Sequence, residues 1–306
     1  MTDRDPLLDQ AAKHWSGISQ ARAASSTVNW WQSKAIVAHI NARICGEPLA
    51  GLTAGFHRRI RQMTDGQSLP RAISVGCGAA NKEMALVRAG LADHFDLYEI
   101  AQDRIAQAQA QAEKFGIAGN IRFLDEDPVA HPQEDCYDLV HWDNALHHML
   151  DVEAAVDWSH RVLKPGGIFA MYDFVGPNRF QWTDRNLDYI EKVRNALPLS
   201  LMAATETPGA RLRARIERPD PERLMAVDPT EAADSQRIPD AILKHFPHAE
   251  IVPTGGAIYH VGLKDILARF TDEDAGWMDF VLMVDQLLAD LGETHYAVAI
   301  VRKGSS

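Results

Sequence analysis

Cysteine is scarce. The 306-residue chain has three, Cys45, Cys77 and Cys136, set far apart. So odd and sparse a set excludes a disulfide framework and a cysteine-built zinc cluster. Long apolar runs are missing too. No stretch reaches the roughly 18 residues a membrane-spanning helix needs, so no membrane partner is expected. The start, MTDRDPLLDQ, has no basic stretch followed by an apolar one, which argues against a signal peptide. A reducing cytoplasm is the expected location. Basic charge is in deficit, with 31 Lys and Arg against 42 Asp and Glu and a net charge of -11. No basic run exceeds pairs such as Arg58 and Arg59. A nucleic-acid binder needs a basic face to neutralise phosphates, so nucleic acid is not expected as a partner. Internal repeats are absent, and the AQAQAQA tract reads as a solvated helix face.

What is present is a globular composition, 46% hydrophobic, enough for one large domain with additions. Residues 1–66 read as an N-terminal helical cap. DPLLDQAAKHWSGI and WWQSKAIVAHINARI place apolar side chains three and four apart, with Ser33 as an N-cap for the second. From 67 to 176 the rhythm changes. RAISVGCG, HFDLYEI, NIRFLDED, YDLVHWD and IFAMYDFVG read as strands, separated by helical stretches. That alternation predicts a doubly wound, parallel sheet. Residues 177–240 read as mostly helical with a polar, proline-containing middle. They are too long for an ordinary connection and suggest a lid or substrate insertion. Residues 241–306 return to the sheet pattern. The expected fold is therefore α/β: a Rossmann-like, doubly wound, mostly parallel seven-stranded sheet, one end strand antiparallel, with a helical N-terminal extension and a helical lid insertion.

The stretch AISVGCGAANKE, residues 72–83, runs from a strand through glycines into a helix. Against the dinucleotide fingerprint G-x-G-x-x-G, Gly76 and Gly78 match, but the third position is Asn81. That side chain opposes the close pyrophosphate approach the fingerprint requires. GCGAAN also carries no lysine or arginine for a phosphate. Glu99 ends the next strand, where a carboxylate accepts both hydroxyls of a ribose. The pattern points to a nucleoside without a pyrophosphate. The bland alternative is a plain turn with a solvated strand end.

SVGCGAANKE, LYEI, FLDED, YDLVHWDNALHHM and LKPGGIFAMYDF, in this order, resemble the class I S-adenosylmethionine-dependent methyltransferases. The resemblance covers residues 70–176, and the last strands also fit. The N-terminal helices and FVGPNRFQWTD resemble a bacterial branch with a helical extension and a lid after the fifth strand. The chain departs from the common G-x-G-x-G turn at Ala80. The resemblance implies S-adenosyl-L-methionine as cofactor. Gly76, Cys77 and Gly78 would meet its methionine part, and Glu99 its ribose. Ile100 would lie against the adenine, with Asp127, or else Asp125 or Glu126, at the adenine amino group. His141, Trp142, Asp143 and Asn144 would line the methionyl end. Trp142, Asp143 and Tyr172 would suit a sulfonium cation through charge and cation–π attraction.

Methyl transfer needs alignment and exclusion of water, and a base only when the nucleophile arrives protonated. His147 and His148, just after the fourth strand, are the base candidates, although a His-His pair also packs or caps a helix. Asp143, Asn144 and Asp173 are further catalytic candidates. Trp30, Trp31, Arg179, Gln181, Trp182, Tyr259 and His260 are candidates for the substrate side, Arg179 through a forked pair with a carboxylate. The Asp-Asn pair of magnesium-dependent catechol methyltransferases follows the fifth strand, whereas Asp143 and Asn144 follow the fourth. The histidines show no ligand spacing, so no metal is expected. The leading reading is a methyltransferase acting on an enclosed small molecule. The alternative is attack on the other arm of the cofactor, by aminocarboxypropyl transfer or cyclisation to an azetidine amino acid with release of methylthioadenosine. A non-catalytic SAM- or NAD-binding protein comes third. Acceptor atom and oligomeric state are not legible.

Overall fold

The computed structural model describes residues 6–23, 28–204 and 209–304. Residues 1–5 and 24–27 of the expected cap and 205–208 of the expected insertion lie outside them. Seven strands form one sheet in the order β3-β2-β1-β4-β5-β7-β6. They are β1 (Leu69–Val75), β2 (Ala92–Tyr98), β3 (Ile121–Phe123), β4 (Tyr137–Asp143), β5 (Leu163–Phe174), β6 (Ile251–Gly255) and β7 (Tyr296–Arg302). The first five are mutually parallel where they pair, and β7 runs antiparallel to both β5 and β6. The inner strands read as nearly continuous apolar runs because both faces of the sheet are covered.

On one face Ile73, Val140, Trp142, Phe169 and Met171 form a core with Trp158, Ile242 and Phe246. Those partners come from α6 (Val152–Val162) and from α10 (Ile238–His245) and its C-cap. On the other, Ala72, Leu139, Ala170 and Tyr172 pack with Ile40, Phe56, Met84 and Val281. These belong to α2 (Lys34–Cys45), α3 (Ala54–Met63), α4 (Asn81–Arg88) and α12 (Ala275–Asp290). Ser33 caps α2 by accepting from the Ile36 N–H, and Gly46 closes it at φ +79°. The other helices are α1 (Pro6–Ala23), α5 (Gln102–Lys114), α7 (Asp184–Ala196), α8 (Leu199–Met202), α9 (Pro221–Val227) and α11 (Tyr259–Gly262).

Two expectations change. The strand expected across NIRFLDED stops at Phe123. Its acidic end leaves the sheet, and Asp127 Oδ1 accepts from the Val129 N–H at 2.9 Å. The insertion is less helical than expected. Between α8 and α9 the described chain is irregular, apart from one bridge between Ala203 and Arg211. Arginines replace the helical ladder there. Arg211 donates to the carbonyls of Arg194 and Leu197, and Arg218 to that of Trp182. Buried Arg194 pairs with Asp265 at 2.6 Å. α10, which spans the boundary expected at 240, packs on α6 as part of the core.

The turn after β6 carries a stability prediction. Gly255 and Gly256 sit at φ +94° and +97°. The buried Asp285 carboxylate accepts from the N–H groups of Gly256 and Ile258 at 3.0 and 2.7 Å. Burial pushes its pKa up to about 6. A Cβ on Gly255 would lie 1.9 Å from Asp285 Oδ2. Gly255→Ala must strain the backbone and expel that carboxylate. The expected loss is roughly 2–4 kcal/mol in urea unfolding, and a loss under 1 kcal/mol would show that the turn adapts.

Candidate active site

After β1 the chain turns through Gly76 at φ +68° and Gly78 at φ +56°. A Cβ on Gly76 would stand 3.3 Å from that of Ala145, and one on Gly78 2.9 Å from Arg104 Nη1. Ala80, the departure from the common turn, takes the same left-handed region at φ 52°. That conformation costs an alanine roughly 1 kcal/mol, and its fully buried methyl offsets part of the cost. Glu99 lies behind the turn. Its Oε2 accepts from the Gly78 N–H at 2.7 Å and its Oε1 from the Ala101 N–H at 2.8 Å. Burial pushes the Cys77 thiol well up, which marks it as packing and not as a nucleophile.

In front of the turn opens a cavity of about 570 Å³. The sheet side contributes residues 76–79, Asp143, Asn144, His147 and His148. The opposite wall is aromatic. Trp30 packs against Tyr259 and Tyr296 with ring centroids 5.5 and 5.1 Å apart. Phe174, Phe180 and Trp31 extend the wall, and Trp15 of α1 also borders the cavity. GCGAAN itself has no cation, but Lys82, just after it, and Arg104 both line the cavity. Each is engaged. Lys82 Nζ reaches the Asp143 carbonyl at 2.8 Å and its Oδ1 at 2.5 Å. Arg104 lies 4.8 Å over the Trp15 ring.

The floor is a cluster of imidazoles and carboxylates. Asp173, fully buried at the end of β5, accepts from the N–H groups of Ala145, Leu146 and Phe174. His147 Nδ1 lies 2.5 Å from its Oδ1. His147 Nε2 lies 3.5 Å from Glu231 Oε1. His148 Nδ1 lies 3.0 Å from Thr230 Oγ1, which donates to Asp228 Oδ1 at 2.6 Å. Burial opposes charge on His147, but Asp173 and then Glu231 outweigh it and raise its pKa to about 10. Burial, then the charge of His147, lowers His148 to about 4. Burial opposes the Glu231 charge, but the hydrogen bond to His147 and the charges of His148, His147 and His260 together outweigh it and hold its pKa at about 2. Burial also lowers His260 to about 4.

Of the expected residues, Gly76, Cys77, Gly78, Asp143, Asn144, His147, His148, Trp30, Trp31, Tyr259 and His260 line this one cavity. Asp173 stands behind His147, and Glu99 behind the turn. Several expected residues lie elsewhere. His141 is fully buried, with Nδ1 3.2 Å from Glu83 Oε1. Trp142 points to the opposite face and donates to Ser159 Oγ at 3.0 Å. Tyr172 is core. Both faces of the sheet are covered, so all three are buried whichever way they point, and the edge begins only at Asp143. Arg179 donates to the Glu231 carbonyl, and Gln181 to the carbonyls of Arg179 and Pro219. Neither lines the cavity, and Phe180 between them does. Trp182 stacks on His295 at 4.7 Å. Asp125, Glu126 and Asp127 line a second cavity of about 340 Å³ that shares no lining residue with the first. Half-buried Ile100 lines neither. Sequence reasoning missed Tyr296, Lys82 and Glu231. Tyr296 had a signal: it begins an antiparallel strand and so meets the carboxyl edge beside Phe174. Glu231, in a polar stretch, had none.

Residues 68–211, just under half of the chain, match a family model described as a methyltransferase domain. A sterol 24-C-methyltransferase of Gibberella zeae is 30% identical over 106 residues, covering 34% of this chain and 28% of that enzyme. One from Pneumocystis carinii is 30% identical over 82 residues, covering 26% and 22%. The matched stretches thus span under a third of these curated relatives. Geranyl diphosphate C-methyltransferase from Streptomyces coelicolor A3(2) is similar in structure, with a TM-score of 0.55 at 11% identity over 99% of this chain and 100% of that one. That structure holds Mg2+, geranyl-S-thiolodiphosphate and S-adenosyl-L-homocysteine. Phosphoethanolamine N-methyltransferase 2 of Haemonchus contortus, in complex with S-adenosyl-L-methionine, gives 0.50 at 10% identity over 90% and 58%. Residues 68–211 are thus similar to a methyltransferase domain, and the sheet has the class I methyltransferase fold.

Proposed function

We propose that this chain is an S-adenosyl-L-methionine-dependent methyltransferase whose acceptor is a small molecule held between the sheet edge and the helical segments. One observation carries the reading: the glycine turn, Asp143 and an aromatic wall share a single cavity. The left-handed glycines leave a cradle that side chains would fill, which suits the methionine part of the cofactor. Glu99 is assigned to the ribose. Its two main-chain bonds fix its orientation and leave lone pairs for hydroxyls. Asp143 and Asn144 are assigned to the methionyl end, with Lys82 holding Asp143 in place. Ile100 and the acidic segment at Asp127 are assigned to the adenine end.

When bound, the cofactor supplies a methyl group on a cationic sulfur. The chain aligns the acceptor and excludes water, and orientation alone is worth several kcal/mol. Residues 1–66 and 177–240 are read as the cap and the insertion that close the cavity over the core. Trp30, Phe180 and Tyr259 suit an apolar acceptor body. The sterol and geranyl diphosphate enzymes are named for acceptors with apolar carbon frames, which agrees. Where the acceptor arrives protonated, the proton is assigned to His148, kept neutral by burial and by the charge of His147.

Incubation with S-adenosyl-L-methionine and a panel of isoprenoid, phenolic and amine acceptors is expected to yield S-adenosylhomocysteine. With the cofactor alone, no methylthioadenosine is expected. Its release would instead assign the cavity to attack on the aminocarboxypropyl arm.

A further inference from the structure

We propose that His147, His148 and Glu231 form a site for one divalent first-row transition-metal ion at the floor of the main cavity. One ligand atom from each lies within 4.8 Å of the others. The His147 Nε2 to Glu231 Oε1 separation is 3.5 Å. Two ligands of a tetrahedral ion with bonds of about 2.0–2.2 Å lie at nearly that spacing.

The surroundings prepare both imidazoles as ligands. His147 Nδ1 is engaged by Asp173. His148 Nδ1 is engaged by Thr230 Oγ1, whose own hydrogen goes to Asp228. The threonine oxygen is therefore an acceptor, and His148 carries its proton on Nδ1. In both rings Nε2 is left as the ligand atom, with Nδ1 donating to a fixed oxygen. That is the usual arrangement of metal-bound histidines, where the outer partner sets tautomer and ring orientation.

The charge balance points the same way. Asp173 and Asp228 are almost wholly buried, and Glu231 lies beside them. Asp228 Oδ2 has no hydrogen-bond partner among the described residues. Buried carboxylates call for a nearby cation. Two nitrogens and one carboxylate suit zinc, cobalt, manganese or iron better than magnesium or calcium. Three protein ligands leave positions open toward the cavity, for an oxygen of the bound small molecule. Glu231 lies far along the chain from the adjacent histidines, which hid the trio from any spacing pattern. The site rests on this geometry and does not depend on the methyl-transfer reading.

The test uses the full chain, stripped with a chelator and dialysed. Co2+ is titrated by visible absorption and Zn2+ by calorimetry, neither of which reads activity. One equivalent of each is expected to bind saturably. Glu231→Gln and His148→Gln are each expected to weaken binding at least tenfold, with cooperative unfolding transitions as proof that they fold. Asp228→Asn, acting only through Thr230 and His148, is expected to weaken it by about 10- to 100-fold. No saturable binding of either ion would overturn the site, leaving a cluster held by a proton. Binding kept within twofold by both ligand variants would overturn it equally.

Discussion

Asp173→Ala is expected to cost the chain roughly 3–5 kcal/mol of folding stability, read as a lower urea midpoint. The carboxylate is fully buried and holds together three segments: the end of β5, the Ala145–Leu146 turn and the His147 ring. Burial opposes the Asp173 charge, but His147 and the main-chain N–H groups together outweigh it and keep its pKa below the usual carboxylate range. Removing it leaves three main-chain N–H groups and an imidazole without their acceptor, in a place water does not reach. Each orphaned donor costs about 1–3 kcal/mol before relaxation. Asp173→Asn keeps an acceptor oxygen and is expected to lose less. A midpoint shift equivalent to under 1 kcal/mol in the alanine variant would mean that the turn finds other partners.

Glu99→Ala is expected to weaken S-adenosylhomocysteine binding by roughly 1.5–3 kcal/mol, the range of hydrogen bonds to a charged group. That is about a 10- to 150-fold rise in Kd. Two effects add. The ribose hydroxyls lose their acceptor, and the Gly78 N–H loses the carboxylate that holds the turn. Glu99→Gln separates them, because an amide retains one acceptor oxygen for the turn but not the charge. An affinity unchanged in Glu99→Ala would remove Glu99 from the cofactor site.

The sheet was legible because its strands announce themselves. AISV, DLVHW and IFAMYDF are apolar over most of their length, as expected of strands covered on both faces. The glycine turn, with Glu99 against it, was legible as a place in the fold because both fall at the carboxyl edge of a doubly wound sheet. The misplaced residues share a physical cause. His141 and Trp142 were read with Asp143 and Asn144 as one lining segment, although side chains alternate along β4 and only its last residue clears the edge. The period of two puts His141 on the same face as Asp143 and Trp142 on the other, so only position along the strand, with Asp143 at its end, separates them. The irregular stretch before α9 misled for another reason. Arginines with good helical propensity instead spend their guanidinium groups on main-chain carbonyls, beside Pro219 and Pro221. Glu231 reaches His147 only through tertiary folding, and no local pattern encodes that contact.

Calorimetric titration of S-adenosyl-L-methionine into the full chain, with NAD in parallel, tests the cofactor assignment most directly. Saturable one-to-one binding of S-adenosyl-L-methionine is expected, with none of NAD. No saturable binding of S-adenosyl-L-methionine would contradict a cofactor site at the glycine turn, and with it the proposed methyl transfer.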